Sequence, residues 1–380
     1  MHPILSVCIP TFNRAKLLSE FLRVLEPEVL PFAGAVEVVV SDNCSTDTTP
    51  EVVREAQTRY AITYRRLEEN IGGHNNIVTI ATEAANGKYC WVIGDDDLVR
   101  PGAIAKIISI LEAHPDLPAI FVNYTQEQHA EREKGEHLIA AESYKRSRLL
   151  CRDTSERRIE RWEDVVLLSD VPGVLTAISC HVFLREIWVR RAIPLAKYEP
   201  EMKLSYETVF PHVWMLADEL VGKPAYYLGY PCVMLFVGHQ EWGGLWAKYL
   251  FTFVIRVADQ LERRGARPEV ARHYRNVIFK HCVYAFRRML FEQQRAFANG
   301  EEWTRWRFAP EDDWSLPDQV RRYWGYPEFW KMFAKSVLGV LMHHGRRFVA
   351  EAPGGSLIDR KVETWRLRRE AREAASLAEL

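Results

Sequence analysis

The stretch YCWVIGDDDLVRPGAI (Tyr89–Ile104) sets a short apolar run directly against three carboxylates. Tyr89–Ile93 has the length and the β-branched and aromatic content of a buried strand. Gly94-Asp95-Asp96-Asp97 ends it abruptly, and Pro101-Gly102 opens a helical pattern that runs through Leu111. Three adjacent carboxylates repel one another unless a cation neutralises them. Their hard oxygens suit Mn2+ or Mg2+, held by one or two carboxylates plus phosphate oxygens. A solvated acidic turn capping the next helix is the other reading of the same letters.

Upstream, the same change of period repeats. ILSVCI (Ile4–Ile9) is an apolar run, after which Thr11, Asn13 and Arg14 lead into Leu17, Leu18, Phe21, Leu22 and Leu25 at helical spacing. VEVVV (Val36–Val40) is followed by the polar loop Ser41–Thr49 and a helix-compatible Glu51–Tyr60. ITYRRL (Ile62–Leu67) precedes the glycine-containing loop Asn70–Asn76 and then Ile77, Ile80, Ala81 and Ala84. Strands alternating with helices predict an α/β fold with a mainly parallel sheet and right-handed crossovers. Ligands of such sheets bind beyond the carboxyl ends of the strands. Pro10–Arg14, Ser41–Asp47 and Gly94–Asp97 all directly follow a strand, so they predict the site.

Downstream, residues 126–160 are polar and charged and read as a long connection or exposed helix. Apolar runs return between Val165 and Val237, and from Gly243 on the pattern is helical and rich in aromatics. The predicted division is therefore 1–125, 126–240 and a helical module 241–380. Basic residues gather late (Arg287, Arg288, Arg346, Arg347, Arg360, Lys361, Arg366, Arg368, Arg369). They fit peripheral docking on anionic lipid. With Glu363, Glu370 and Glu373 interleaved, they equally fit a solvated helical face.

The chain of 380 residues is 48% hydrophobic and 27% charged, the make-up of a folded globular protein. A net charge of -1 gives no field for nucleic acid, and none is expected as a partner. No run reaches the roughly 18 apolar residues of a membrane span, and Met1–Pro10 does not read as a signal peptide. Seven scattered cysteines without C-x-x-C spacing fit a reduced, cytoplasmic protein.

Each loop has its own chemistry. A carboxylate at Asp42, exposed after a buried strand, can accept a hydrogen bond from a base N–H, whereas Ser45–Asp47 suit helix capping. NIGGHNN (Asn70–Asn76) has neither the G-x-G-x-x-G spacing nor a P-loop G-K-[ST], but its glycines allow close backbone approach. The adjacent His343 and His344 do not share a helix face and read as structural.

The order SVCIPTFNR, VVVSDNCSTDTT, ENIGGHNN and WVIGDDDLVRPGAI closely resembles family 2 glycosyltransferases of the GT-A fold. The resemblance is strong over residues 4 to about 112. It continues weakly through ISCHVFLREIW (Ile178–Trp188) and Tyr206–Leu216, in a manner similar to the abequosyltransferase-type branch for bacterial surface polysaccharide. It implies inverting sugar transfer from a nucleotide-diphosphate sugar, UDP- or dTDP-linked, to a glycan or lipid-linked glycan acceptor. It implies that Pro10, Thr11, Asn13 and Arg14 line the nucleotide pocket, that Asp42 holds the base, and that Asn70, Gly72 and Gly73 lie near the ribose. The family's D-x-D falls on Gly94–Asp97. Counted back from Pro101, its first aspartate position holds Gly94 and its metal-side position Asp96, which leaves the division of roles open. Asp95 is assigned to the donor, Asp96 and Asp97 to the metal, and the late His239 either to the metal or to the surface beside a helix. The acceptor base is expected in Tyr206–His212, from Glu207 or His212; Glu163-Asp164 reads as a helix start.

Two rivals remain. A sugar nucleotidyltransferase would want a glycine-rich basic loop after the first strand, and PTFNR has no glycine. A non-catalytic scaffold would have no need of the acidic triplet.

Overall fold

The computed structural model describes residues 2–128, 148–192, 210–237, 253–281, 283 and 321–350. Residues up to His281 form one compact unit; those from Cys282 on, as far as described, belong to a second.

The first unit is built on a ten-stranded sheet. Strands β1 (Leu5–Thr11), β2 (Val36–Asp42), β3 (Ile62–Arg66) and β4 (Tyr89–Val92) are the four apolar runs of the N-terminal region. They lie in the order β3-β2-β1-β4, all parallel. β1 and β2 are buried along almost their whole length, which explains their unbroken apolar character. Helix α1 (Ala15–Val29) lays Leu18, Phe21, Leu22 and Leu25 into the core at i, i+3, i+4, i+7 spacing. Helices α2 (Thr49–Gln57), α3 (Gly73–Thr79) and α4 (Ala103–Ala113) supply the remaining crossovers, with the two-residue strand β5 (Leu98–Val99) ahead of α4.

Beyond β4 the sheet is mixed. β9 (His181–Leu184) runs antiparallel to both β4 and β6 (Ala119–Gln128), and β10 (Ala225–Val237) runs parallel to β6. The long parallel strands thus share one direction, with β9 reversed in their midst. Short strands β7 (Arg148–Leu149) and β8 (Glu156–Ile159) add to β6 and β10. Trp91 Nε1 donates to Ser179 O at 2.8 Å, locking the segment before β9 onto β4. Arg185, first residue of helix α5 (Arg185–Arg191), donates to the Ala81 and Thr82 carbonyls that end the helical run after α3.

The first unit extends past the boundary at 240 drawn from the sequence. Helix α7 (Ile255–Arg263) packs on α6 (Pro211–Leu220), with Gln260 Nε2 donating to Trp214 O at 2.9 Å. Tyr274 Oη donates to Pro172 O at 2.9 Å. In the second unit, α8 (Pro327–Ala350) buries Phe329, Met332 and Ser336. No described helix is long and apolar enough to cross a membrane. The six described cysteines are free thiols.

Candidate active site

The carboxyl ends of β1, β2 and β4 bring the three polar clusters together. Thr11 and Asp42 are register partners, and Ile93 N–H donates to Cys8 O at 3.0 Å. The chain leaves β1 and β2 through left-handed residues, Asn13 at φ 52° and Cys44 at φ 65°. Such backbone is costly outside glycine and is held here by cross-loop hydrogen bonds. Asn13 N–H donates to Ser45 Oγ at 2.9 Å, and Asn13 Oδ1 accepts Thr46 N–H at 2.7 Å. Asp47 caps two helices, accepting from Ala15 N–H and Thr49 N–H, both at 3.0 Å.

The acidic triplet is asymmetric. Asp95 has a side chain only 3% exposed, against 28% for Asp96. Thr11 Oγ1 donates to Asp95 Oδ2 at 2.6 Å, and Arg14 Nη1 reaches Asp95 Oδ1 at 2.9 Å and Asp96 Oδ2 at 3.2 Å. Burial pushes the Asp95 carboxyl up to about 6, against the pull of Arg14. Asp97 is buried and accepts Phe236 N–H from β10 at 3.3 Å. A Cβ on Gly94 would meet Asp96 Oδ1 at 2.5 Å, so glycine there leaves the carboxylate its place.

Asp42 is enclosed, not exposed as the sequence suggested. Its exposure is 0%. Oδ1 accepts Ser45 N–H at 2.8 Å and Oδ2 accepts the Tyr64 hydroxyl at 2.7 Å, with Arg66 Nε 3.6 Å away. Tyr64 and Arg66 were missed. Two residues apart on β3, they share one face, and it is the strand register, with Arg66 the partner of Asp42, that brings them to it.

Asn70, Gly72 and Gly73 form the entry to α3. Gly72 has φ 81°, which only glycine adopts freely. A third missed residue, Asn43, joins this loop to the β2 loop: its Nδ2 donates to Asn70 Oδ1 at 2.8 Å and its Oδ1 accepts Ile71 N–H at 2.9 Å. Pro10 completes β1 beside Ser41.

On the acceptor side one expectation needs correcting. His212, weighed as the base, is buried at the start of α6. Burial first, then neighbouring His181, hold its imidazole down at about 3. Burial likewise holds His181 at about 4. A nitrogen so placed stays neutral and shielded, unsuited to taking a proton from a substrate hydroxyl. Glu163 is fully buried and accepts Arg161 Nε at 2.7 Å and Gly222 N–H at 2.9 Å, while Asp164 pairs with Arg267 at 2.6 Å. Both are structural ties. Glu207 and His239 lie outside the described residues, as do the basic residues of the tail from Arg360 on.

Among the described residues no group of three His, Cys, Asp or Glu side chains could hold a metal by itself. A site of one or two carboxylates completed by phosphate oxygens does not need one.

Residues 6–163 match the family model for glycosyl transferase family 2. Abequosyltransferase RfbV of Salmonella typhimurium is 34% identical over 116 residues, 30% of this chain and 34% of RfbV. Poly(ribitol-phosphate) beta-N-acetylglucosaminyltransferase TarS of Staphylococcus aureus is 29% identical over 109 residues, 29% of this chain and 19% of TarS. The matches thus span about a third or less of these relatives' length. The crystal structure of S. aureus TarS 1-349 shares the fold at a TM-score of 0.50 and 14% identity, over 86% of this chain and 80% of that one. The strand–loop order that builds the Thr11–Asp42–Asp95 edge lies wholly inside residues 6–163, the segment that is similar to glycosyl transferase family 2.

Proposed function

We propose that the protein transfers a sugar from a UDP- or dTDP-linked donor to a glycan or lipid-linked glycan hydroxyl, in bacterial surface glycan assembly. The observation that carries this is the convergence of Thr11 and Arg14 from the first loop on Asp95 and Asp96 from the fourth. Residues 1–125 supply the donor side and 126–240 the acceptor side; of the helical chain beyond, the part to His281 belongs to the first unit and the rest, as far as described, to the second. Pro10, Thr11, Asn13, Asn70, Gly72 and Gly73 line the nucleotide pocket, and Asp42 reads the base through an oxygen now shared with Tyr64.

The triplet fits a hard divalent cation, Mn2+ or Mg2+. Asp96 presents the more open carboxylate, Asp97 stands beside it, and Gly94 keeps the space clear. When bound, such a cation stabilises the negative charge that develops on a departing diphosphate. Arg14 adds a guanidinium suited to phosphate oxygens. Glu207 is the remaining candidate for the group that takes the acceptor proton.

Peripheral membrane contact through the C-terminal module is part of the proposal. Trp324 is 66% exposed just before α8, whose outer face carries Lys331, Lys335 and Leu338. This is the composition of an interfacial helix.

Mass spectrometry of donor hydrolysis and transfer over a panel of nucleotide sugars, with Mn2+ and with EDTA, tests the reading. Turnover of a UDP- or dTDP-sugar only with the cation is the expected result. Tight metal-free binding of GDP in preference to UDP refutes the donor assignment.

A further inference from the structure

Arg14 stands where a cation would. Its Nη1 atom alone touches both members of the pair, Asp95 Oδ1 at 2.9 Å and Asp96 Oδ2 at 3.2 Å. Asp95 is also held by Thr11 at 2.6 Å, so its position does not depend on Arg14 alone. The guanidinium sits on a side chain 36% exposed, one residue beyond the left-handed turn at Asn13 and one before α1. The side chain is thus partly exposed on a backbone fixed by the loop and the helix start.

A divalent cation on either oxygen that Arg14 touches meets the guanidinium charge. A divalent ion bound to a carboxylate oxygen lies roughly 2.0–2.6 Å from it. A guanidinium nitrogen in hydrogen-bond contact with the same oxygen would be roughly 4–5 Å from the ion, and like charges at that distance in a partly buried site repel by several kcal/mol. Cation binding at these oxygens is therefore opposed by Arg14. What Arg14 can take in exchange is an anion with paired oxygens, for which a guanidinium is built.

We propose that Arg14 is a resident counter-ion of the acidic triplet, displaced by the divalent cation and received by the diphosphate of the donor. Resting on the metal reading above, this makes cation and nucleotide bind in concert. Cation alone has to expel Arg14, and nucleotide alone has to pull it from two carboxylates. Together each removes the other's obstacle, and the coupling is reciprocal.

Calorimetry of Mn2+ binding to the full chain, with and without saturating UDP, reads the coupling. Wild-type protein is expected to bind Mn2+ weakly alone and at least about tenfold more tightly with UDP. Arg14→Met should bind Mn2+ alone at least about tenfold more tightly than wild type, with the gain from UDP reduced. Arg14→Lys, which keeps the charge, should stay near wild type. Arg14→Met binding Mn2+ no more tightly than wild type overturns the counter-ion role, as does wild-type binding indifferent to UDP. The second criterion needs no variant to fold. Failure of the metal reading looks different: no Mn2+ uptake by wild type even with UDP, or Asp96→Asn binding as tightly as wild type. Either of those removes both.

Discussion

Thr11 Oγ1 lies 2.6 Å from Asp95 Oδ2, joining the end of the first strand to the acidic triplet across 84 residues of chain. The bond is buried and its acceptor is a carboxylate with little solvent contact. Thr11→Val keeps the shape and removes the donor. It should lower stability by about 1–3 kcal/mol, read as a fall in urea midpoint at unchanged m. An unchanged midpoint would mean that Arg14 alone satisfies Asp95.

Asp96 and Gly94 form one device. Asp96→Asn removes charge while keeping shape, and should cost at least about a hundredfold in turnover with little change in fold, given the several kcal/mol a metal supplies to a transition state. Gly94→Ala leaves the charge but crowds Asp96 Oδ1, which an added Cβ would meet at 2.5 Å. Its Mn2+ affinity should fall by more than its thermal stability. Full turnover of wild type in excess EDTA contradicts the metal assignment behind both expectations.

Asp42 already has partners on both oxygens, so base binding and loop integrity can be separated there. Asp42→Ala strands Ser45 N–H and the Tyr64 hydroxyl and should weaken UDP binding while also destabilising the loop. Tyr64→Phe removes only the hydroxyl donor, at about 1 kcal/mol. It should leave UDP affinity equal or higher, because Asp42 Oδ2 is then open to the base. A large loss of UDP affinity in Tyr64→Phe would place the recognition elsewhere.

His181 and His212 set an acid limit on the fold. Their rings lie 6.1 Å apart, and each has a buried nitrogen without a hydrogen-bond partner among the described residues. Both are neutral when folded, with values held down at about 4 and about 3. Unfolded, each takes a proton near pH 6.5, so the pair's contribution is fully present above that pH and is lost as pH falls toward the folded values. At pH 5 the loss is about 2 kcal/mol per histidine. Denaturation at pH 7 and pH 5 should show a smaller drop for His212→Gln than for wild type. Asp95 shifts the other way but is common to both proteins, so it cancels in that comparison. Equal drops would mean that the imidazole charges within the folded protein.

The N-terminal half of this architecture was legible because β1, β2 and β4 are buried along nearly their whole length and the loops after them are polar. Each change from Ile9 to Thr11, Val40 to Ser41 and Ile93 to Gly94 marks a strand end. What could not be read were partners distant in sequence. Nothing in the letters near Asp42 shows that Tyr64 and Arg66 would cover it, since that follows from β2–β3 register. His212 offered the same letters as a catalytic histidine, and only its packing against His181 and Phe210 shows it to be interior. The reversed strand β9 was equally hidden, because HVFL is too short and too apolar to declare a direction.

That four-residue strand also bears on how the protein is made. β9 fills the gap between β4 and β6, yet it comes 18 residues after the family match ends at residue 163. A growing chain that has completed every residue of the matched segment still presents the edges of β4 and β6 that later strands cover. Sheet completion waits for translation to pass Leu184 for β9 and Val237 for β10, and a chain released before that is exposed to edge-to-edge association. Expression designs that stop at the matched segment should therefore yield aggregated protein, and those that carry β9 and β10 should not.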